Sequence, residues 1–208
     1  MSRPKTKPKT AAAISPKRSA GRVSNARLGR AGWIAAARAA FIEGGLAGVR
    51  VDIIRRQLGV TTGSFYWHFK DREALLAEIL ADWEETNSRP LFDAVAGAGD
   101  DPERQFADVC MVWLEESAFS PAYDWAIRDW ARTSPKVEEA VRRVDDRRIE
   151  LLHGIFRRLG NGEPEALVRA RITYFHQVGY YALRISESPQ TRRDLLPTYI
   201  DLLLGRGS

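Results

Sequence analysis

The sequence predicts an all-α chain of about nine helices, and three observations carry that reading. Apolar residues recur three and four apart in segment after segment, the spacing of one helix face. No run alternates apolar and polar residues as a half-buried strand would. Glycine, proline and capping residues punctuate the segments where helices start and stop. With 208 residues, 44% of them hydrophobic, the chain has enough apolar material for one domain or two small ones.

Residues 1–27 are rich in Lys, Pro, Ser and Ala and offer no apolar periodicity, so they read as a disordered basic tail. From Leu28 to Glu43 an alanine-rich stretch places Trp33, Ile34, Ala37 and Phe41 on one stripe, and Gly44 with Gly45 supplies the stop. A second helix fits Val51 to Leu58, with Ile54 and Leu58 on one face and Gly59 at its end. Thr61 stands at the N-cap of a short third helix, Thr62 to Phe69, in which Phe65 and Phe69 share the inward face. Asp71 caps a fourth, which buries Leu75, Leu76, Ile79, Leu80 and Trp83.

Residues 96–102 then read as a loop. The fifth helix runs from Pro102 to about Phe119, the sixth from Pro121 to about Arg132 and the seventh from Pro135 to Leu159. In all three, proline occupies the first turn, where its missing N–H costs nothing. Residues 161–164 break the chain before an eighth helix ending at Ile185. Residues 188–190 precede a ninth that ends near Leu204.

Charge is unevenly spread. The net charge is +5, yet residues 1–42 hold ten Lys or Arg and no acid, leaving 22 basic and 27 acidic residues in the remainder. A basic end on an acidic body suggests that one part faces a polyanion. One cysteine, Cys110, excludes an internal disulfide framework and a multi-cysteine zinc site. His68, His153 and His176 are too far apart for an HxxxH or HExxH pair, so no metal or cofactor is implied. No nucleophile–base pattern or glycine-rich phosphate loop supports an enzyme. No apolar run is long enough to span a bilayer, and the N-terminus lacks the apolar segment of a secretory signal, so a cytoplasmic protein is expected.

The second and third helices, joined by a tight turn at Gly59, form a helix-turn-helix. Ile54, Leu58, Val60, Phe65 and Phe69 pack the pair, and the outer face of the third helix fits a DNA major groove. The stretch VRVDIIRRQLGVTTGSFYWHFKDREALL resembles the N-terminal DNA-binding domain of TetR-family transcriptional regulators. Ile54, Gly59, Val60, Gly63, Phe65, Tyr66, His68, Phe69 and Leu75 fall on that family's pattern without a gap, over about residues 28–80. Trp33, Ile34 and Phe41 match its first helix. Three positions depart from it: Arg50 replaces a capping threonine, Arg55 a small alanine, and Arg72 a lysine.

The resemblance implies a homodimeric, sequence-specific regulator, a repressor, that binds double-stranded DNA at a palindromic operator and is associated with the nucleoid. Thr61, Thr62, Gly63, Tyr66 and Trp67 would lie at or near the groove, while Arg50, Tyr66, His68 and Lys70 would hold the phosphate backbone. The competing reading is an architectural protein whose basic tail binds DNA without sequence preference.

Residues 81–208 would then form the regulatory domain, for effector binding and dimerisation. Their aromatic content suggests a pocket for a small apolar or aromatic effector, with Phe106, Trp113, Trp125, Trp130 and Phe175 as candidates. Any single ring at helical spacing is more often plain core. Glu115, Glu116, Asp124 and Asp129 beside these tryptophans also leave open a cation site or a simple solvated acidic face. The last two helices are expected to make the dimer, through Tyr174, Tyr181, Leu196, Tyr199 and Leu203.

Overall fold

The computed structural model describes residues 29–206, so the basic tail read from residues 1–27 lies outside the described residues. Ten α-helices and no strand make up what is described. The first, α1 (Arg30–Gly48), buries Trp33, Ala37 and Phe41 at four-residue spacing. It kinks at Gly45, whose φ of 58° lies in the region glycine adopts without steric cost. Beyond the kink the chain folds back so closely that a Cβ on Gly48 would sit 2.3 Å from the Ala40 carbonyl oxygen. Val49, at φ −79° and ψ 79°, then turns the chain tightly, with the Arg50 N–H donating to the Gly48 carbonyl at 2.9 Å.

That turn aims α2 (Val51–Gln57), after which Gly59 at φ 67° reverses the chain into α3 (Thr62–His68). Thr61 caps α3 by accepting the Ser64 N–H at 3.3 Å. Asp71 likewise caps α4 (Arg72–Thr86), accepting the Ala74 N–H at 2.8 Å. Both caps satisfy backbone donors that a helix start leaves free.

The next helix, α5 (Arg89–Gly97), is additional to the nine expected. It has Pro90 in its first turn and buries Leu91. α6 (Pro102–Glu115) stops four residues short of the expected Phe119, because Glu116 takes a left-handed conformation at φ 54°. There follow α7 (Pro121–Ala131), α8 (Pro135–Arg158), α9 (Glu165–Ala182) and α10 (Pro189–Leu204). Proline opens α6, α7, α8 and α10 in the first turn.

Two apolar cores result. One joins α1–α4 to Tyr123 and Ile127 of α7 and to Val137, Ala140, Val141 and Val144 in the first half of α8. The other joins α5, α6, Phe119, the second half of α8 and α9, centred on Phe106 and Phe156. The first four helices are thus seated on α7 and α8 through α1 and α4.

Between the cores lies a buried polar cluster. One Asp124 oxygen accepts from Arg148 at 2.9 Å, Trp83 Nε1 at 3.2 Å and Asn87 Nδ2 at 3.3 Å. The other accepts from Arg128 Nε at 2.8 Å. Arg128 also forks onto Asp145 at 2.9 and 2.6 Å, and Asp145 accepts the Tyr174 hydroxyl at 2.6 Å. Arg148 reaches back to the Asn87 carbonyl and the Ser88 hydroxyl, each at 3.2 Å. The end of α4 is therefore tied to α7, α8 and α9 through satisfied charges.

Candidate nucleic-acid interface

The inner face of α3 is set by aromatic packing. Phe65 and Phe69 stack at 5.5 Å, and Trp33 of α1 meets Phe65 edge-on at 5.2 Å. Burying rings of this size holds the short helix at one angle, at about 1.5–3 kcal/mol per side chain. Seven residues of helix would not persist alone.

With Phe65 and Phe69 inward, the helical repeat turns Thr62, Gly63, Tyr66 and Trp67 outward. Tyr66 is 63% exposed and Trp67 85%, values that leave two large rings without protein cover. Thr61, Lys70 and Arg50 are also exposed, and His68 is half-buried beside the Phe69 ring. The eight residues expected to meet DNA are thus brought to one side of the helix-turn-helix, around α3 and its approaches. The Thr61 oxygen is already engaged as a cap, which leaves its hydroxyl proton to donate outward.

Arg50 is held beside Asp52 at 3.4 Å, and Asp52 also accepts from Arg56 at 3.1 Å. This exposed arginine pair brackets α2, Arg50 at its N-cap and Arg56 in its last turn. Arg72, which stands where the resembled pattern has a lysine, has a structural role. Its guanidinium donates to the Val49 carbonyl at 2.8 Å and the Leu46 carbonyl at 2.5 Å, clamping the start of α4 to the turn that aims α2. Arg30 pairs with Glu78 and lies 5.0 Å above the Phe69 ring, a second tie between α1, α3 and α4.

In the second half, the five rings proposed for an effector do not converge. Phe106 is wholly buried against Phe156, at 5.1 Å between ring centres. Trp130 packs on Phe41 at 5.7 Å, in the other core. Trp125 and Phe175 are exposed, and Trp113 alone of the five lines a cavity, between α6, α9 and α10. Nor is the acidic cluster free for a cation. Asp124 is taken by Arg148 and Arg128, and Glu116 by Arg192. Burial would raise the Asp124 carboxyl, but the two guanidiniums outweigh it and hold the group below the usual carboxylate range. Cys110 sits at the cavity wall, where burial pushes its thiol up to about 12, so it stays protonated and unreactive at neutral pH.

The stripe expected at a dimer contact also divides. Tyr174 is buried and gives its hydroxyl to Asp145. Tyr181 stacks on Phe119 at 5.9 Å and donates to the Trp113 carbonyl at 3.0 Å. Leu196 and Leu203 turn to the cavity, and Tyr199 is half-exposed at its rim beside His176. The exposed apolar face is a neighbouring one: Val168, Ile172, Phe175 and Leu183 on α9, with Leu195, Tyr199 and Leu202 on α10. Each helix carries two apolar stripes, and the tyrosine hydroxyls that need buried partners select which one turns inward.

Among the described residues no helix is long and apolar enough to cross a membrane, and no three His, Cys, Asp or Glu residues gather as metal ligands would.

A three-helix head that exposes α3, seated on a helical body, defines the class: an all-helical fold with an N-terminal helix-turn-helix. Residues 34–79 match the family model of bacterial regulatory proteins, tetR family. Solved structures agree in fold over most of their length. A transcriptional regulator from Rhodococcus sp. Rha1 superposes with a TM-score of 0.63 at 22% identity, covering 84% of this chain and 92% of the other. The MbdR regulator from Azoarcus sp. CIB gives 0.63 at 16%, covering 83% and 95%. The ketosteroid transcriptional regulator KstR2 of Mycobacterium tuberculosis gives 0.61 at 17%, covering 85% and 93%. The family and these structures are transcription regulators rather than enzymes. Among curated proteins none matches the sequence.

Proposed function

We propose that the protein is a sequence-specific DNA-binding repressor that holds a palindromic operator as a homodimer and releases it when a small apolar or aromatic effector binds residues 81–208. It acts on the nucleoid, in the cytoplasm. The observation that carries the DNA reading is the exposure of Tyr66 and Trp67 on the face of α3 opposite Phe65 and Phe69. Two uncovered rings at a helix-turn-helix cost hydration in the free protein and are accounted for by a groove they enter.

Tyr66, His68 and Lys70 reach phosphates, with Arg50 at the flank. Thr62 and Gly63 approach base edges or a thymine methyl, and Trp67 presses on a sugar-phosphate edge. The exposed face of α9 and α10 pairs with its twofold mate, which sets two α3 helices about one DNA turn (~34 Å) apart. The polar cluster around Asp124 supports the coupling. A shift of α9 relative to α8 strains the Tyr174–Asp145–Arg128 chain, and through Arg148 it reaches the end of α4.

The test is selection of bound sites from random duplexes at physiological salt. An enriched inverted repeat is expected. Salt-sensitive binding to every sequence, lost when residues 1–27 are removed, would replace this reading with the architectural one.

A further inference from the structure

Two buried side-chain nitrogens lack a hydrogen-bond partner among the described residues: Trp33 Nε1 and Gln177 Nε2. They differ in surroundings. Trp33 is sealed in the first core. Gln177 lines the cavity between α6, α9 and α10, a space of about 80 Å³. A buried donor left unmade costs about 1–3 kcal/mol. The room beside Gln177 lets something arriving from outside remove that cost.

The rest of the lining says what kind of molecule. Cys110, Trp113, Leu114, Leu196 and Leu203 make a largely apolar wall. Waters need two to four polar partners each, so those trapped here are held poorly and are displaced at a gain. Charge complementarity excludes an anion. Arg192, at the mouth, is engaged by Glu116 and by the Trp113 carbonyl at 3.0 Å. Glu187 accepts the Tyr180 hydroxyl at 3.2 Å and sets an acidic side chain at the rim. His176 is pulled below the ordinary histidine range by burial, against the opposing pull of Glu187, and is neutral at neutral pH. A volume of about 80 Å³, roughly half that of a cavity that holds benzene, takes one small ring only with part of the molecule in the open mouth, and no fused-ring skeleton.

We propose that this cavity is a binding site for a small, neutral, single-ring molecule with one hydrogen-bond acceptor, an aryl ketone or aryl amide. Its ring lies against Trp113 and the leucines, and its carbonyl accepts from Gln177. Leu195 and Tyr199 belong both to the cavity lining and to the exposed apolar face of α10, so an occupant adjusts the surface offered to a second copy. As an effector site, the cavity rests on the regulator reading above; as a binding site it does not.

The experiment is calorimetric titration of the full chain with acetophenone, alongside ethylbenzene, which lacks the acceptor, and benzoate, which carries a charge. Acetophenone is expected to bind once per chain, about tenfold tighter than either comparator. Gln177→Leu should remove the preference over ethylbenzene, and Leu196→Trp should fill the cavity and abolish binding. No acetophenone binding at millimolar concentration overturns the proposal, as does a preference over ethylbenzene that survives in Gln177→Leu. The comparison of the three ligands on the unmodified protein decides the matter even if a variant misfolds. Release from a selected operator is read separately. Binding of acetophenone without release keeps the site and removes its effector role, whereas operator selection without acetophenone binding removes the site and keeps the regulator.

Discussion

Arg148 of α8 donates to Asp124 of α7 at 2.9 Å while nearly its whole side chain is out of solvent, and the pair sits in the polar cluster that ties the end of α4 to α7, α8 and α9. Removing one partner of such a pair leaves a buried charge, typically at about 3–5 kcal/mol. Arg148→Met is therefore expected to lower the unfolding free energy by about that amount, read from urea midpoints. An effect within about 0.5 kcal/mol, the range of ordinary surface changes, would show that Arg128 alone satisfies Asp124.

The same cluster sets an acid response. Asp124 is held below the usual carboxylate range in the folded chain, despite burial that would raise it. Its contribution to stability is thus complete above the unfolded carboxyl value of about 3.9, and is lost as pH falls through the lower folded value. Stability measured against pH should fall below about pH 4, and in Asp124→Asn that part of the fall should be missing. An unchanged acid slope in the variant would place the titrating carboxyls elsewhere.

Gly48 and Gly44 make a matched pair. A Cβ on Gly48 would lie 2.3 Å from the Ala40 carbonyl oxygen, which is backbone and cannot swing aside, whereas a Cβ on Gly44 meets nothing within 4 Å. Gly48→Ala should cost about 1–3 kcal/mol and displace the turn that aims α2, weakening DNA binding as well. Gly44→Ala should be neutral or stabilising by up to about 1 kcal/mol. Equal melting temperatures for the two variants would contradict the close approach.

These glycines mark where the sequence stops being readable. Helix starts were legible because their chemistry is local: Thr61 and Asp71 cap within three residues, and Pro102, Pro121 and Pro135 occupy first turns. The outward face of α3 was legible because Phe65 and Phe69 fix the inward side of a short helix. α5 was missed because nine residues with one buried leucine give too short a period to count. The clamp made by Arg72 was not legible because its acceptors, Leu46 and Val49, lie more than twenty residues away. The aromatic residues of the second half showed helical spacing without direction, and long-range hydroxyl partners then turned Tyr174 and Tyr181 inward.

On the DNA face the expected losses differ in kind. Tyr66→Phe and His68→Ala should weaken operator binding while leaving the dimer intact, and in Tyr66→Phe the slope of log K against log salt stays the same, since no charge is removed. Lys70→Ala should reduce that slope by about 0.9, the share of one phosphate. Because Tyr66 and Lys70 are exposed, their variants should melt with the unmodified protein. Full operator affinity in both Tyr66→Phe and His68→Ala would sink the phosphate assignment.

The dimer prediction turns on which stripe of α9 faces out. Phe175 is 59% exposed and Ile172 53%, whereas Tyr174, one residue along from Phe175, is buried with its hydroxyl on Asp145. Placing a charge where two copies meet leaves it desolvated and unpaired, so Phe175→Glu should give a monomer by sedimentation at micromolar concentration. Tyr174→Phe should remain a dimer and lose about 1–2 kcal/mol of stability, the worth of a hydrogen bond to a charged partner. The opposite pattern, a stable Phe175→Glu dimer and a monomeric Tyr174→Phe, would return the interface to the stripe that the tyrosine spacing suggests. A monomer in the unmodified protein would remove the interface altogether, and with it the reason for an inverted-repeat operator.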